Sequence, residues 1–181
     1  MKKAVFFDRD GVLNDNRVNV NKKQDLILYD GVKNALKKVY DFGFLLFVVT
    51  NQGGIERGYF TVKDLEEIHN YLKELTKDYC EFTEIMCCPY FDTKSEDRKP
   101  SPGMILKLAK KYDVDLKNSW MVGDREMDIT AGIKAGCRTA KIGKTDKRAD
   151  INESNLTKRD KNKKVDLESV IDTIIELDKE K

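Results

Sequence analysis

The sequence is poor in the residues that staple, break or anchor a chain: among 181 residues there are three prolines, four cysteines, one histidine and one tryptophan. Cys80, Cys87, Cys88 and Cys137 have neither the density of a disulfide framework nor a CxxC pair, so they read as reduced, buried thiols. A lone histidine cannot build a histidine-rich metal centre, and His69 falls on the polar side of its predicted helix, where it is expected to be solvated. No apolar run approaches the ~20 residues of a membrane span, and the four apolar residues 4–7 before Asp8 are too few for a signal peptide. A cytoplasmic protein with no membrane partner is expected. The 34 basic and 32 acidic residues leave a net charge of +2, which gives no footprint for nucleic acid and leaves a small anionic ligand needing only local positive charge.

What is present is an alternation of short apolar runs with helix-period segments, the pattern of strands and crossover helices in a parallel sheet. Residues 4–7 open it as a buried strand. Val32, Ala35, Leu36 and Val39 mark a helix over 31–42, with Asp30 as expected N-cap and Gly43 as stop, and 44–49 is a continuous apolar strand. Thr61 with Asp64 resembles a capping box ahead of Leu65, Ile68, Leu72 and Leu75. Strands are expected at 85–88, 119–122 and 139–142, with helices at 103–112 and 128–135. The polar stretch 143–165 reads as a mobile loop before a last helix over 166–181 that carries Leu167, Val170, Ile174 and Leu177. The whole chain is expected to form one domain.

Chemistry gathers at the expected strand ends. Asp8 and Asp10, separated by one residue after the first strand, suit a nucleophile that forms an acyl phosphate and an acid that protonates the leaving oxygen; the alternative is a polar Asp-Gly turn. Thr50, Asn51 and Gln52 end the second strand ahead of Gly53 and Gly54, a combination that can hold phosphate oxygens. Lys99, between Arg98 and Pro100, offers a fixed ammonium. Asp124 and Asp128 follow the fourth strand and complete an oxygen-rich set that suits a hard cation such as magnesium.

In this order the four pieces resemble the four motifs of the haloacid dehalogenase superfamily of phosphatases: Asp8, Asp10 and Gly11; Thr50; Lys99; Gly123, Asp124 and Asp128. The resemblance implies a Rossmann-like α/β three-layer sandwich, with Asp8 as nucleophile, Asp10 as general acid and base, and Thr50 and Lys99 on the phosphoryl group. It implies magnesium on Asp8, Asp124 and the backbone carbonyl of Asp10, with Asp128 orienting Lys99 or a metal-bound water. The longer stretches Phe7-Asp8-Arg9-Asp10-Gly11-Val12-Leu13-Asn14, Val49-Thr50-Asn51-Gln52-Gly53-Gly54-Ile55 with Arg57-Gly58, and Arg98-Lys99-Pro100 are similar to the branch of D-glycero-D-manno-heptose 1,7-bisphosphate phosphatases and histidinol phosphatases.

Members of that branch commonly hold a structural zinc through Cys-x-His and Cys-x-Cys pairs. Here Tyr90 follows Cys88 where the histidine would stand, and 93–97 contains no cysteine, so no zinc is expected. Residues 50–60 are too few for a lid, so no large cap domain is expected and specificity falls to Asn16, Arg17, Asn19, Asn51, Gln52, Gly53, Arg57, Arg98 and Arg125. Arg98 beside Lys99 and Arg125 beside Asp124 favour a phosphorylated metabolite with a second anionic group, such as a sugar bisphosphate. Histidinol phosphate, a polynucleotide 3′-phosphate end and a non-catalytic phospholigand module are the alternatives.

Overall fold

The computed structural model describes residues 1–92, 94–153 and 166–180. Five strands, β1 (Ala4–Phe7), β2 (Leu45–Asn51), β3 (Glu84–Cys88), β4 (Trp120–Gly123) and β5 (Arg138–Lys141), form one sheet in the order β3-β2-β1-β4-β5. Every pairing is parallel, with Phe6 opposite Phe47 on one side and Met121 on the other. Parallel strands need crossovers, and α1 (Val32–Asp41), α2 (Val62–Thr76), α3 (Gly103–Tyr112) and α4 (Glu126–Ala135) supply them, followed by α5 (Leu167–Lys179).

The alternation of side chains along each strand divides the interior into two cores. Val5, Phe7, Leu46, Val48 and Val122 face α1, α2 and α5, whereas Ala4, Phe6, Phe47, Val49 and Met121 face α3 and α4. The result is the parallel sheet with crossover helices that the alternating pattern implied, in the α/β three-layer sandwich that the family resemblance implied. Burial on both faces explains why β1 and β2 read as unbroken apolar runs. Truncating a fully buried anchor such as Leu36 or Leu72 to alanine costs about 2–5 kcal/mol.

The expected capping box of α2 is present, Thr61 and Asp64 exchanging bonds of 2.7 and 3.1 Å. Helix α1 differs from expectation: its N-cap is Gly31 at φ 80°, with no side-chain cap, so Asp30 does not fill that role. Part of the expected loop after β5 is fixed in place. Ile151 is buried, pairs with Ala140 beyond the edge of the sheet, and accepts the Lys141 N–H at 2.8 Å. The sequence 143–153 is too polar to show this, because Ala149 and Ile151 are its only buried apolar residues and the others that are buried, Asp146 and Asn152, are polar. The rest of that loop, 154–165, and residue 181 lie outside the described residues.

Only residues 52–61 separate β2 from α2, so no cap domain is inserted there. No helix among the described residues is long and apolar enough to cross a membrane. In an open parallel sheet, ligands bind beyond the carboxyl ends of the strands where the winding reverses. Here that point lies between β1 and its neighbours β2 and β4.

Candidate active site

Asp8 directly follows β1, and its N–H bonds the Val122 carbonyl at 2.9 Å, which locks the end of β1 to β4. The chain then turns sharply at Gly11, whose φ is 84°; a Cβ there would lie 2.2 Å from Asp124 Oδ2, so only glycine lets the two segments meet. The loops after β1 and β4 are thereby pressed together and bring Asp8, Asp124 and Asp128 within 4.8 Å of one another.

Lys99 arrives from the β3–α3 connection and is 2 % exposed. Its Nζ lies 2.8 Å from Asp8 Oδ1 and 2.7 Å from Asp128 Oδ1. Asn51 holds the lysine's backbone from both sides, donating to the Lys99 carbonyl and accepting the Lys99 N–H, each at 3.0 Å. The second Asp128 oxygen accepts the Arg125 N–H at 3.0 Å and so closes the first turn of α4. Asp128 thus contacts Lys99 with one oxygen and the start of α4 with the other.

The charges are set by burial and by each other. Burial pushes Asp8 up to about 7, Asp128 and Asp10 push the same way, and Lys99 opposes them. Asp124 is also raised, first by burial and then by Asp128, against Arg125 and Lys141. Burial alone would lower Lys99, but the two carboxylates beside it outweigh that and raise it. The Lys99 ammonium bonds two of these three carboxylates, and the buried Oδ1 of the third, Asp124, has no hydrogen-bond donor among the described residues. An excess of negative charge around an unsatisfied carboxylate oxygen suits a cation, and an all-oxygen set suits a hard one. The cluster can therefore hold a metal ion.

Asp10 sits in a separate network. Arg9, 1 % exposed, forks onto it with Nη2 at 3.0 Å from both oxygens, while Asn14 and Gln52 each donate to it at 2.9 Å. Burial would raise Asp10, but Arg9 and these donors outweigh it and hold the group below the usual carboxylate range. Gln52 also donates to Thr50 Oγ1 at 2.8 Å. Because that oxygen accepts from Gln52, the threonine hydroxyl proton is free to point elsewhere.

Outside this corner lies a cleft of about 500 Å³. Asn16, Asn19, Asn51, Gln52, Gly53, Arg57, Arg98 and Arg125 line it, as expected, although the amides of Asn51 and Gln52 are already committed to Lys99, Asp10 and Thr50. Arg17 does not line it: its guanidinium is tied back to Asp15 and points into solvent, a local pairing that a loop sequence does not reveal. His69 also departs from expectation. It is largely buried on α2, its Nε2 lying 3.3 Å from Arg9 Nη1, and burial and the arginine push its pKa down to about 3. Three contributors were missed altogether. Arg9 and Lys141, whose Nζ bonds the Asp124 carbonyl, carry no motif of their own. Phe91 sits in an irregular segment without periodicity.

A HAD-hydrolase-like family model matches residues 97–173. The chain is 39% identical over 136 residues to the D-glycero-beta-D-manno-heptose-1,7-bisphosphate 7-phosphatase of Helicobacter pylori strain J99, covering 74% of this chain and 78% of that protein. It is 39% identical over 138 residues to the D-glycero-alpha-D-manno-heptose-1,7-bisphosphate 7-phosphatase of Campylobacter jejuni, covering 76% and 80%. Among solved structures, the D,D-heptose 1,7-bisphosphate phosphatase of B. bronchiseptica, complexed with magnesium and phosphate, superposes with a TM-score of 0.82 at 26% identity, covering 97% of this chain and 99% of that one. The fold and these matches define a hydrolase of the haloacid dehalogenase type. The chain belongs to the phosphatases of that superfamily, in the branch that contains the heptose bisphosphate phosphatases.

Proposed function

We propose that this phosphatase removes the 7-phosphate of a D-glycero-D-manno-heptose 1,7-bisphosphate through an acyl phosphate on Asp8, with magnesium as its metal. The observation that carries the bisphosphate reading is an imbalance of partners. Arg57 and Arg125 line the cleft with no hydrogen bond or ion pair from their guanidinium groups to a protein acceptor among the described residues, and Arg98 bonds only a backbone carbonyl, at 2.8 Å. Three guanidinium groups without a carboxylate, next to a corner built for one phosphoryl group, suit a second anion on the same substrate. The relatives' names point to the same ligand.

In this reading Asp8 attacks phosphorus, and the P–O bond to the sugar breaks as Asp10 gives its proton to the leaving oxygen. Water then loses a proton to Asp10 and attacks the phosphoryl group, which releases inorganic phosphate and restores the Asp8 carboxylate. The donors around Asp10 describe its ionised form, the one that activates water. To act as acid it must take up a proton and release at least one of those donors. Lys99 and the Thr50 hydroxyl stabilise charge on the equatorial oxygens. Asp8, Asp124 and the backbone carbonyl of Asp10 would hold a magnesium ion, which would supply positive charge against the repulsion between nucleophile and phosphate.

Phosphate release measured with magnesium on both heptose 1,7-bisphosphate anomers, heptose 7-phosphate, histidinol phosphate and a 3′-phosphorylated oligonucleotide tests the reading. Both anomers belong in the panel because relatives of equal identity carry each name. A bisphosphate is expected to give the highest kcat/KM, with one phosphate released per molecule. A higher value for histidinol phosphate or the oligonucleotide would overturn the assignment.

A further inference from the structure

The mouth of the cleft contains an aromatic side chain that the chemistry above does not use. Phe91 is 44% exposed, yet it is held from several sides. Its N–H bonds Glu56 Oε2, and its ring packs on Gly53, where an added Cβ would come within 3.0 Å of it. The Arg57 guanidinium lies over the ring with Cζ 3.4 Å from the centroid, and the Arg98 guanidinium has Cζ 4.9 Å from the same centroid. Arg98 is fixed again by its bond to the carbonyl of Tyr90, the residue before the phenylalanine.

Two like charges on one ring repel each other, and on their own two long side chains would spread into solvent. The ring's negative face offsets part of that repulsion and restricts both side chains. Stacking uses the flat face of a guanidinium and leaves its in-plane N–H groups available, which are the groups that bind a phosphate. No carboxylate occupies them here.

We propose that Phe91 is a specificity-determining positioning residue, which holds both Arg57 and Arg98 at the cleft so that together they receive the second anionic group of the substrate. The inference rests on the reading that this cleft takes such a group. Phe91 itself touches neither the reacting phosphoryl group nor the Asp8 corner, so its effect belongs in substrate affinity and not in the chemical step.

The test compares wild type with Phe91→Ala, Phe91→Leu and Phe91→Tyr on a heptose 1,7-bisphosphate, on the matching 7-monophosphate and on a small aryl phosphate, with thermal melting of each variant. Phe91→Ala is expected to raise KM for the bisphosphate about 10-fold, the scale of losing two cation–π contacts, with kcat within about twofold. Its kinetics on the two monoesters should stay at wild-type values. Phe91→Tyr keeps the ring and should restore the bisphosphate KM, whereas Phe91→Leu keeps the packing without the quadrupole and should not. Equal losses on all three substrates, or full activity in the leucine variant, would overturn the proposal. A wild type that prefers the bisphosphate, together with an alanine variant that keeps the preference, refutes the role of Phe91 alone. A wild type without that preference refutes the bisphosphate reading and this inference with it.

Discussion

The two ends of the site treat charge in opposite ways. In the inner corner the charged side chains are buried or partly buried, and all but Asp124 have an ionic partner among the described residues: Lys99 bridges Asp8 and Asp128, and Arg9 forks onto Asp10. At the outer end Arg57 and Arg125 are exposed and Arg98 half-buried, and none forms an ion pair with a carboxylate among the described residues. Buried ions need partners because their desolvation costs several kcal/mol each, whereas exposed arginines remain hydrated at little cost. The inner network therefore fixes the geometry of the reaction before any substrate arrives. The outer end leaves its donors to be satisfied by a ligand, and in the proposed reading that is where selectivity between substrates resides.

The largest expected effects come from breaking the inner network, and two substitutions separate its charge from its chemistry. Asp8→Asn removes the nucleophile and should lower kcat by a factor on the order of 10⁴ or more. Because burial already resists ionisation of Asp8, the neutral amide should leave the melting temperature of the metal-free protein unchanged or slightly raised. Lys99→Ala should lose activity and stability together, by about 3–5 kcal/mol, since it strands the Asp8 and Asp128 carboxylates without their shared cation. Measuring phosphate release and chemical denaturation on both variants checks the contrast. Substantial turnover by Asp8→Asn would rule out the acyl phosphate on that residue.

The same contrast separates what was legible in the sequence from what was not. Asp8, Thr50 and Asp124 could be found because each stands at or just beyond an apolar strand whose end the pattern locates, and a parallel sheet gathers such ends at one edge, whereas Lys99 was read from its Arg-Lys-Pro segment ahead of α3. Asp128 followed from its place one helical turn further on. Arg9 could not be found, because one residue inside a motif gives no sign of whether it faces solvent or the core. His69 was misplaced for a related reason: helix periodicity put it off the apolar stripe of Ile68 and Leu72, while a cation from β1's loop covered it from the side. Arg17 was misassigned because nearness to the site in sequence does not exclude capture by Asp15 two residues away. The β3–α3 segment that carries Phe91 has no period to read, so its stacking on two arginines appears only once the loops after β2 and β3 are placed together.

Breaking the outer end should give a smaller and more selective effect. Arg125→Ala is expected to cost about 1.5–3 kcal/mol in kcat/KM for a heptose bisphosphate, the worth of charge-assisted hydrogen bonds to one phosphate. Hydrolysis of a small aryl phosphate should change little, because that substrate has no group to reach the rim. Steady-state kinetics on the pair checks it. Equal losses on both would place Arg125 with the inner corner, where its backbone N–H already bonds Asp128, and would weaken the division drawn here.

The smallest effect concerns Arg9, the one arginine of the cleft that does have a carboxylate. Arginine only donates, so the His69 Nε2 that faces it at 3.3 Å must carry a lone pair, which puts the imidazole proton on Nδ1. Protonating His69 would replace this contact with two facing cations in a largely buried place, which is why its pKa falls from 6.5 to about 3. The unfolded chain has no such restraint and takes up the proton near 6.5, so below that pH the unfolded state binds more protons than the folded one. Stability from this source is complete above pH 6.5 and declines as the pH falls toward 3, by at most about 1.4 kcal/mol per pH unit. His69 is the only histidine in the chain, so a single imidazole resonance can be followed through the titration. That resonance should stay in its neutral position from pH 8 to pH 5, and His69→Gln should flatten the dependence of unfolding free energy on pH between 6.5 and 5. A midpoint near 6.5 would show the ring to be solvated, would detach it from Arg9, and would leave Asp10 as the only partner fixing that arginine.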